Sequence, residues 1–253
     1  MGGGIYAVNT NVDLVDCTLA SNTASSGAAV GAEVCYPVRL ANCIVVGNTA
    51  TGNGGGLYVR GGGSGSADII NSVFSGNNAG IGGGIFTDDY CNTTVTNSTI
   101  SGNSATTGGG LCNASTRTST LLVQNTVIWN NTASDGNEVW NNGTATYTSS
   151  LIGGCGGTGG WDDILGTDGG GNIDADPLFV DADGADDTVG TIDDDLRLQS
   201  GSPCIDSGDS SLLPADVADL DGDSDVTETI PFDLDGESRV AGSEVELGAY
   251  EIQ

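Results

Sequence analysis

The nonapeptide NSTISGNSA at residues 97–105 decides the fold, because four near copies of it occur in the first 133 residues. The other copies are DCTLASNTA at 16–24, NCIVVGNTA at 42–50, NSVFSGNNA at 71–79 and NTVIWNNTA at 125–133. The asparagine at the seventh place of the nonapeptide recurs at intervals of 26, 29, 26 and 28 residues. Self-similarity at a nearly fixed period is the signature of a repeat architecture.

A glycine-rich motif follows the same interval. Its copies are GGGIY at 2–6, GAAV at 27–30, GGGLY at 54–58, GGGIF at 82–86 and GGGL at 108–111. Two motifs that keep the same phase over five copies indicate that each repeat is one structural unit.

Each repeat predicts short β-strands. Runs rich in valine, isoleucine, leucine and threonine alternate in polarity, and glycine, asparagine and serine separate them. The leucine ladder of a leucine-rich repeat is missing, and the repeat is too short for a propeller blade. We therefore predict an all-β fold over residues 1–160, a right-handed parallel β-helix of about five to six coils of 26–28 residues. Because the chain opens inside a repeat, we expect this helix to be N-terminally truncated.

The recurring asparagines predict a ladder inside the helix. Stacked identical amides can hydrogen-bond to the equivalent groups above and below them. The members of the predicted ladder are Asn22, Asn48, Asn77, Asn103 and Asn131.

Charge divides the chain near residue 160. Of 34 acidic residues 26 follow that position, and the whole chain has five arginines, no lysine, no histidine and a formal net charge of −29. So few cationic groups exclude nucleic acid as a partner. No stretch reaches the roughly 20 apolar residues of a membrane span, so we predict no membrane insertion. Residues 161–253 are predicted to form a separate acidic capping domain.

Both halves resemble known bacterial families. The glycine-rich and Phe/Ile-x-x-Asn motifs of residues 1–133 resemble the repeats of polymorphic outer-membrane proteins, which are surface β-helices. The segments NIDADPLFVD (172–181), GSPCIDSGD (201–209), DLDGESRV (233–240) and ELGAYE (246–251) resemble the choice-of-anchor Q domain, which follows β-helix repeats in secreted proteins. The resemblance implies export to the cell surface or the extracellular space.

The acidic domain is expected to close the open end of the helix, because an uncovered terminal coil exposes strand edges. Its apolar residues would form the plug: Leu178, Phe179, Leu196, Leu198, Ile205, Leu247 and Tyr250.

Two acidic runs are candidate calcium sites. Calcium prefers six to eight oxygen ligands, and carboxylates at alternate positions around a glycine can supply several. The first run offers Asp219, Asp221, Asp223, Asp225 and Glu228, and the second offers Asp181, Asp183 and Asp186. A bound ion would have a structural role and would relieve the repulsion among the carboxylates. The alternatives are solvated acidic loops and adaptation to high salt.

Seven cysteines leave at least one thiol outside an intramolecular pair. Cys155 and Cys204 flank the junction between the two regions. A disulfide between them and two buried free thiols are both compatible with the sequence.

The chemistry leans away from an enzyme. Without histidine, no Ser/His or Cys/His nucleophile can form, and the adjacent Asp88 and Asp89 are interpreted as solvated turn residues. Five aromatic residues are candidates for a sugar-binding stripe: Trp129, Trp140, Trp161, Tyr58 and Tyr90. They are assigned to different columns of the repeat and are therefore interpreted as scattered surface residues. We predict a non-catalytic secreted or cell-surface β-helix that acts as adhesin, stalk or scaffold, with polysaccharide or cell-surface ligands as partners. The alternative is a polysaccharide lyase, glycoside hydrolase or carbohydrate-binding module.

Overall fold

The protein is described by a computed structural model, which covers residues 2–34, 36–62, 65–114, 117, 119–157 and 159–252. Its strands, in chain order, are β1 (Ile5–Val8), β2 (Val12–Val15), β3 (Thr18–Ala20), β4 (Thr23–Ala24), β5 (Val30–Glu33), β6 (Val38–Ala41), β7 (Ile44–Val46), β8 (Thr49–Ala50), β9 (Leu57–Arg60), β10 (Gly65–Ile70), β11 (Val73–Ser75), β12 (Ile85–Thr87), β13 (Cys91–Thr96), β14 (Thr99–Ser101), β15 (Leu111–Asn113), β16 (Thr120–Gln124), β17 (Val127–Trp129), β18 (Val139–Asn141), β19 (Thr144–Thr148), β20 (Leu151–Ile152), β21 (Thr167–Asp168), β22 (Phe179–Asp181) and β23 (Asp195–Leu198). Within the described residues, the one helical element is a short 3₁₀ turn at Ser210–Leu212.

The strands form a parallel β-solenoid of about five turns, which confirms the predicted fold class. Three long parallel sheets build it: sheet I (β1-β5-β9-β12-β15-β18), sheet II (β2-β6-β10-β13-β16-β19-β21) and sheet III (β3-β7-β11-β14-β17-β20). Each coil adds one strand to every sheet, so equivalent residues of successive repeats stack directly above one another.

The repeated nonapeptide forms the corner between sheets II and III, then strand III, then the next corner. Its first asparagine has positive φ at Asn42 (53°), Asn71 (47°) and Asn97 (48°), a conformation that asparagine tolerates better than most residues. The glycine at the sixth place turns the chain again with φ of 57° at Gly76. The strand between them is therefore limited to three residues.

The core is a narrow apolar column of stacked side chains. Aliphatic residues dominate, with Val45, Phe74, Ile100 and Ile128 aligned on the inner face of sheet III. Small and branched side chains fill this space because each coil has to bury only its own thin layer.

Solenoid pairing continues beyond the predicted boundary at residue 160. Strand β21 pairs with β19, and Ile173 forms a parallel bridge to Leu151. Trp161 and Leu165 pack against the core from this last irregular coil. The last coil thus covers the C-terminal end of the solenoid.

The remaining acidic region lies along the side of the solenoid, against the outer face of sheet III. The Ala249 amide donates to Thr99 Oγ1 (3.1 Å), and the Gly248 amide donates to the Asn125 carbonyl (2.9 Å). The prediction of an end plug is therefore wrong for this region. The physical reason is that sheet III carries outward-facing Val73 and Val127, which need a cover.

The predicted plug residues provide that cover, with one exception. One cluster contains Val127, Leu151, Leu198, Cys204 and Leu247, with Phe179 and Ile205 packed against it. A second cluster contains Val73, Leu196 and Ala249, with Tyr250 packed against it. Leu178 is exposed. We refer to residues 177–252 as the side region.

Candidate functional sites

The five recurring asparagines lie in one hydrogen-bonded ladder inside the solenoid. The first four each donate the backbone N–H and Nδ2 to Oδ1 of the asparagine in the next coil, at 2.9–3.0 Å. Nδ2 also donates to a carbonyl of the preceding coil, for example from Asn77 to Val45 at 2.8 Å. The ladder therefore connects each coil to both of its neighbours.

Glu138 ends the ladder. Asn131 Nδ2 donates to Glu138 Oε2 (2.6 Å), and the Asn131 N–H also points at the carboxylate, 3.3 Å from each oxygen. Burial raises the pKa of Glu138 to about 7, against the effect of these hydrogen bonds, which favour the charged form. The carboxyl group thus occupies the place of a sixth ladder amide.

Glu138 was not among the predicted site residues, although its place in the glycine-rich motif could have indicated it. In the register of sheet I, Glu138 stands where the preceding coil has Gly110. A Cβ on Gly110 would lie 2.8 Å from Asn131 Nδ2, so this coil has no room for a side chain at that position. At the last rung no asparagine follows, and a side chain becomes possible there.

The first acidic run forms a compact loop of carboxylates, with one member that was not predicted. Ligand oxygens of Asp216, Asp221 and Glu228 lie within 4.8 Å of one another, and so do those of Asp219, Asp221 and Asp223. An antiparallel bridge between Ala215 and Thr229 closes the base of the loop. Asp221 belongs to both groups, so the two groups of carboxylates are adjacent.

Asp216 is the most informative member of this loop. The residue is fully buried, and its Oδ2 accepts a hydrogen bond from the Leu220 N–H (2.8 Å). Its Oδ1 is buried without a hydrogen-bond partner, and so is Oε1 of Glu228. An unpartnered buried carboxylate oxygen is costly, so both atoms are candidate ligands for a cation. Asp216 was not predicted as a ligand, although it lies only three residues before the first acidic run.

Asp225, in contrast, belongs to neither group. Its Oδ1 accepts hydrogen bonds from the N–H and the hydroxyl group of Thr227, at 3.0 and 2.6 Å. The second predicted run does not gather in the same way: Asp186 Oδ1 accepts from the Thr188 N–H, and none of the carboxylate groups found in the described residues includes Asp181, Asp183 or Asp186.

Cys155 and Cys204 are both buried free thiols in the structure. Cys155 belongs to the solenoid core, whereas Cys204 belongs to the cluster between sheet III and the side region.

A buried charge cluster holds the C-terminal segment together. Arg239 is 1% exposed, its Nε lies 3.4 Å from Glu251 Oε1, and its Nη2 donates to the carbonyls of Glu246 and Gly248. Burial lowers the pKa of Arg239 to about 10 and raises the pKa of Glu246 to about 7. The cluster fixes the segment that contacts Thr99 and Asn125.

A cleft of about 740 Å³ opens beside Glu138, at the last full coil. Two indole rings, Trp129 and Trp140, line it together with Asp135 and Asp162. A Cβ on Gly153 would lie 3.1 Å from both Glu138 Oε1 and a ring atom of Trp129, so the missing side chain lets these two groups approach. The arrangement combines flat apolar faces with hydrogen-bond acceptors.

The aromatic residues are less scattered than the sequence suggested. The register of sheet I places Tyr6, Tyr58, Phe86 and Trp140 in one outward column, which corrects the assignment of Tyr58 and Trp140 to different columns. The rings of Tyr58 and Phe86 stack at 5.4 Å. Gly31 and Cys112 occupy the same column, which hid its regularity.

No protein-family model, curated protein or solved structure matches the chain. In the part of the chain that the structure describes, no helix has the length and apolar character needed to cross a membrane.

Proposed function

We propose that the protein is a non-catalytic β-solenoid of the cell surface or the extracellular space, an adhesin, stalk or scaffold that calcium stabilises. The observation that carries the proposal is the loop 216–228, where ligand oxygens of Asp216, Asp221 and Glu228 lie within 4.8 Å of one another and a buried Asp216 oxygen has no hydrogen-bond partner. The resemblance of the repeats to polymorphic outer-membrane proteins, and of the side region to the choice-of-anchor Q domain, supports the location.

Calcium is the ion that this loop favours. All candidate ligands are carboxylate oxygens, which are hard donors, and calcium accepts six to eight oxygens in flexible geometry. Sulfur and imidazole ligands, which zinc prefers, are missing from both carboxylate groups. Asp216, Asp221 and Glu228 would hold the ion, with Asp219 and Asp223 in the adjacent group and with backbone carbonyls and water completing its shell.

A scaffold role agrees with how the polar side chains are used. The ladder amides connect successive coils, and the side region is bonded to several coils of sheet III. An ion that binds the folded loop and not the unfolded chain stabilises the fold by mass action. The expected gain is about 2.7 kcal/mol when free calcium reaches 100 times its Kd.

The test is thermal unfolding in calcium, in magnesium and in a chelator, at constant low sodium. We expect calcium to raise the Tm by several degrees, and Asp216→Asn to remove most of that increase. Asp225→Asn is the matched control, because it deletes one charge from the same loop outside the two carboxylate groups. Equal melting curves with and without calcium would refute the metal site. If added sodium raised the Tm as much as calcium does, the acidity would instead be explained by adaptation to high salt.

A further inference from the structure

The residues that line the cleft beside Glu138 favour neutral ligands over anionic ones. Its lining contains the carboxylates Asp135, Glu138 and Asp162, several asparagine amides and no arginine. Anionic ligands such as phosphates and uronic acids would meet only like charge there. A volume of about 740 Å³ lies in the usual range for small-molecule sites.

Its two indole rings are held in place before any ligand arrives. Trp140 Nε1 donates to Asp135 Oδ2 (3.1 Å), so one carboxylate orients this ring. Trp129 packs on one side against the cluster that joins sheet III to the side region, and Gly153 lies against its ring. Both indoles are only partly buried, which leaves ring surface available in the cleft. Preorganised aromatic rings bind with a small loss of conformational freedom.

Glu138 is a fixed acceptor in the lining of this cleft. Both of its oxygens face Asn131, which holds the carboxyl group, yet the side chain also lines the cavity. A carboxylate has about four lone-pair sites, so it can accept further hydrogen bonds from a ligand.

From this arrangement we propose that the cleft binds a neutral oligosaccharide, with Trp129 and Trp140 as stacking platforms and the acidic and amide groups as acceptors and donors for its hydroxyl groups. Sugar rings combine apolar C–H faces with hydroxyl edges, and the cleft offers indole faces next to carboxylates. A neutral polyol donates to carboxylates without the repulsion that an anion would meet. This inference goes beyond the scaffold role and does not depend on the calcium site.

The experiment uses the full chain in calcium-containing buffer. Cellohexaose, xylohexaose, mannohexaose and chitohexaose are titrated by calorimetry and by tryptophan fluorescence, with a galacturonic acid hexamer as the anionic probe. We expect at least one neutral probe to bind with Kd below 1 mM and the anionic probe to bind at least tenfold more weakly. Trp140→Ala and Trp129→Ala are each expected to weaken binding at least tenfold.

The controls separate loss of binding from loss of fold. Tyr6→Ala removes an exposed aromatic ring from the same column at the other end of the solenoid and is expected to leave binding unchanged. Trp140→Phe keeps an aromatic side chain beside Cys112 and is expected to weaken binding about threefold with an unchanged Tm. The proposal is overturned if no neutral probe binds, if binding survives both alanine variants, or if the anionic probe binds as well as the neutral ones.

Discussion

Glu138→Gln should make the protein more stable at neutral pH. In the wild type, Glu138 must give up its proton near pH 7 while it is largely buried at the end of the asparagine ladder. Glutamine keeps an oxygen that can accept from Asn131 and carries no charge. The variant therefore preserves the last rung and removes the cost of burying a carboxylate.

The sign of the effect follows from the direction of the shift. Burial raises the folded-state pKa of Glu138 from 4.5 to about 7, so the folded state binds the proton more tightly than the unfolded chain does. The stability that Glu138 contributes is fully present below pH 4.5 and is lost as the pH rises through 7. Glutamine does not titrate, so the difference between variant and wild type must grow over this interval.

The magnitude can be worked from the same shift. At about 1.4 kcal/mol per pH unit the difference would reach about 3 kcal/mol above pH 7. Because Glu138 keeps partial contact with solvent in the cleft, we expect about 2 kcal/mol. For a chain of this length, that corresponds to an increase in Tm of roughly 4–8 °C.

The assay is thermal unfolding of both proteins between pH 4.5 and 8, at constant sodium and calcium. Asp163→Asn is the matched control, since it removes one charge from an exposed side chain in the neighbouring coil. It is expected to change stability by less than about 0.5 kcal/mol at every pH. A difference that is independent of pH, or a variant less stable than the wild type at pH 7.5, would refute the reasoning.

Four further substitutions test the solenoid and its side region by chemical unfolding. Asn77→Ala removes four ladder hydrogen bonds and is expected to cost about 3 kcal/mol, whereas Asn22→Ala at the partly exposed end should cost clearly less. Arg239→Met leaves buried carboxylates without their cation, so a loss of about 3–5 kcal/mol is expected. Gly76→Ala places a Cβ 2.2 Å from Gly190 Cα at a φ of 57° and should loosen the side region, with more than about 1 kcal/mol lost. Unfolding midpoints equal to that of the wild type would contradict each of these expectations.

The repeat could be predicted from the sequence because its constraints are local and recur in every coil. A left-handed corner favours asparagine or glycine, and a ladder position favours an amide, so both leave a periodic trace. The three-residue strands between these corners follow from the spacing alone. Features that occur once leave no periodic trace. Glu138 differs from the repeat only because a charged residue stands where earlier coils have glycine or alanine.

The position of the side region could not be predicted from its own residues. Its apolar side chains indicated that it packs against the solenoid, and the open end was the surface predicted for that contact. The deciding signal lies in sheet III, whose outward positions are mostly apolar: Thr18, Ile44, Val73, Thr99, Val127 and Leu151. Outward valines on one sheet of a solenoid indicate a covered side. Asp216 was missed for a related reason, since its burial depends on the fold of the whole loop.

The side region connects coils of the solenoid that are not neighbours, and the acidic loop lies between the two points of connection. Coils of a solenoid contact only their neighbours, so they can unfold one at a time from an end. Here Asp209 exchanges hydrogen bonds with the side chain of Asn125, while the Phe232 carbonyl accepts from Asn71, two coils away. The loop 216–228 connects these two anchor points along the chain. An ion that fixes the loop would therefore fix the distance between non-adjacent coils, and its binding free energy would act on the solenoid as a whole.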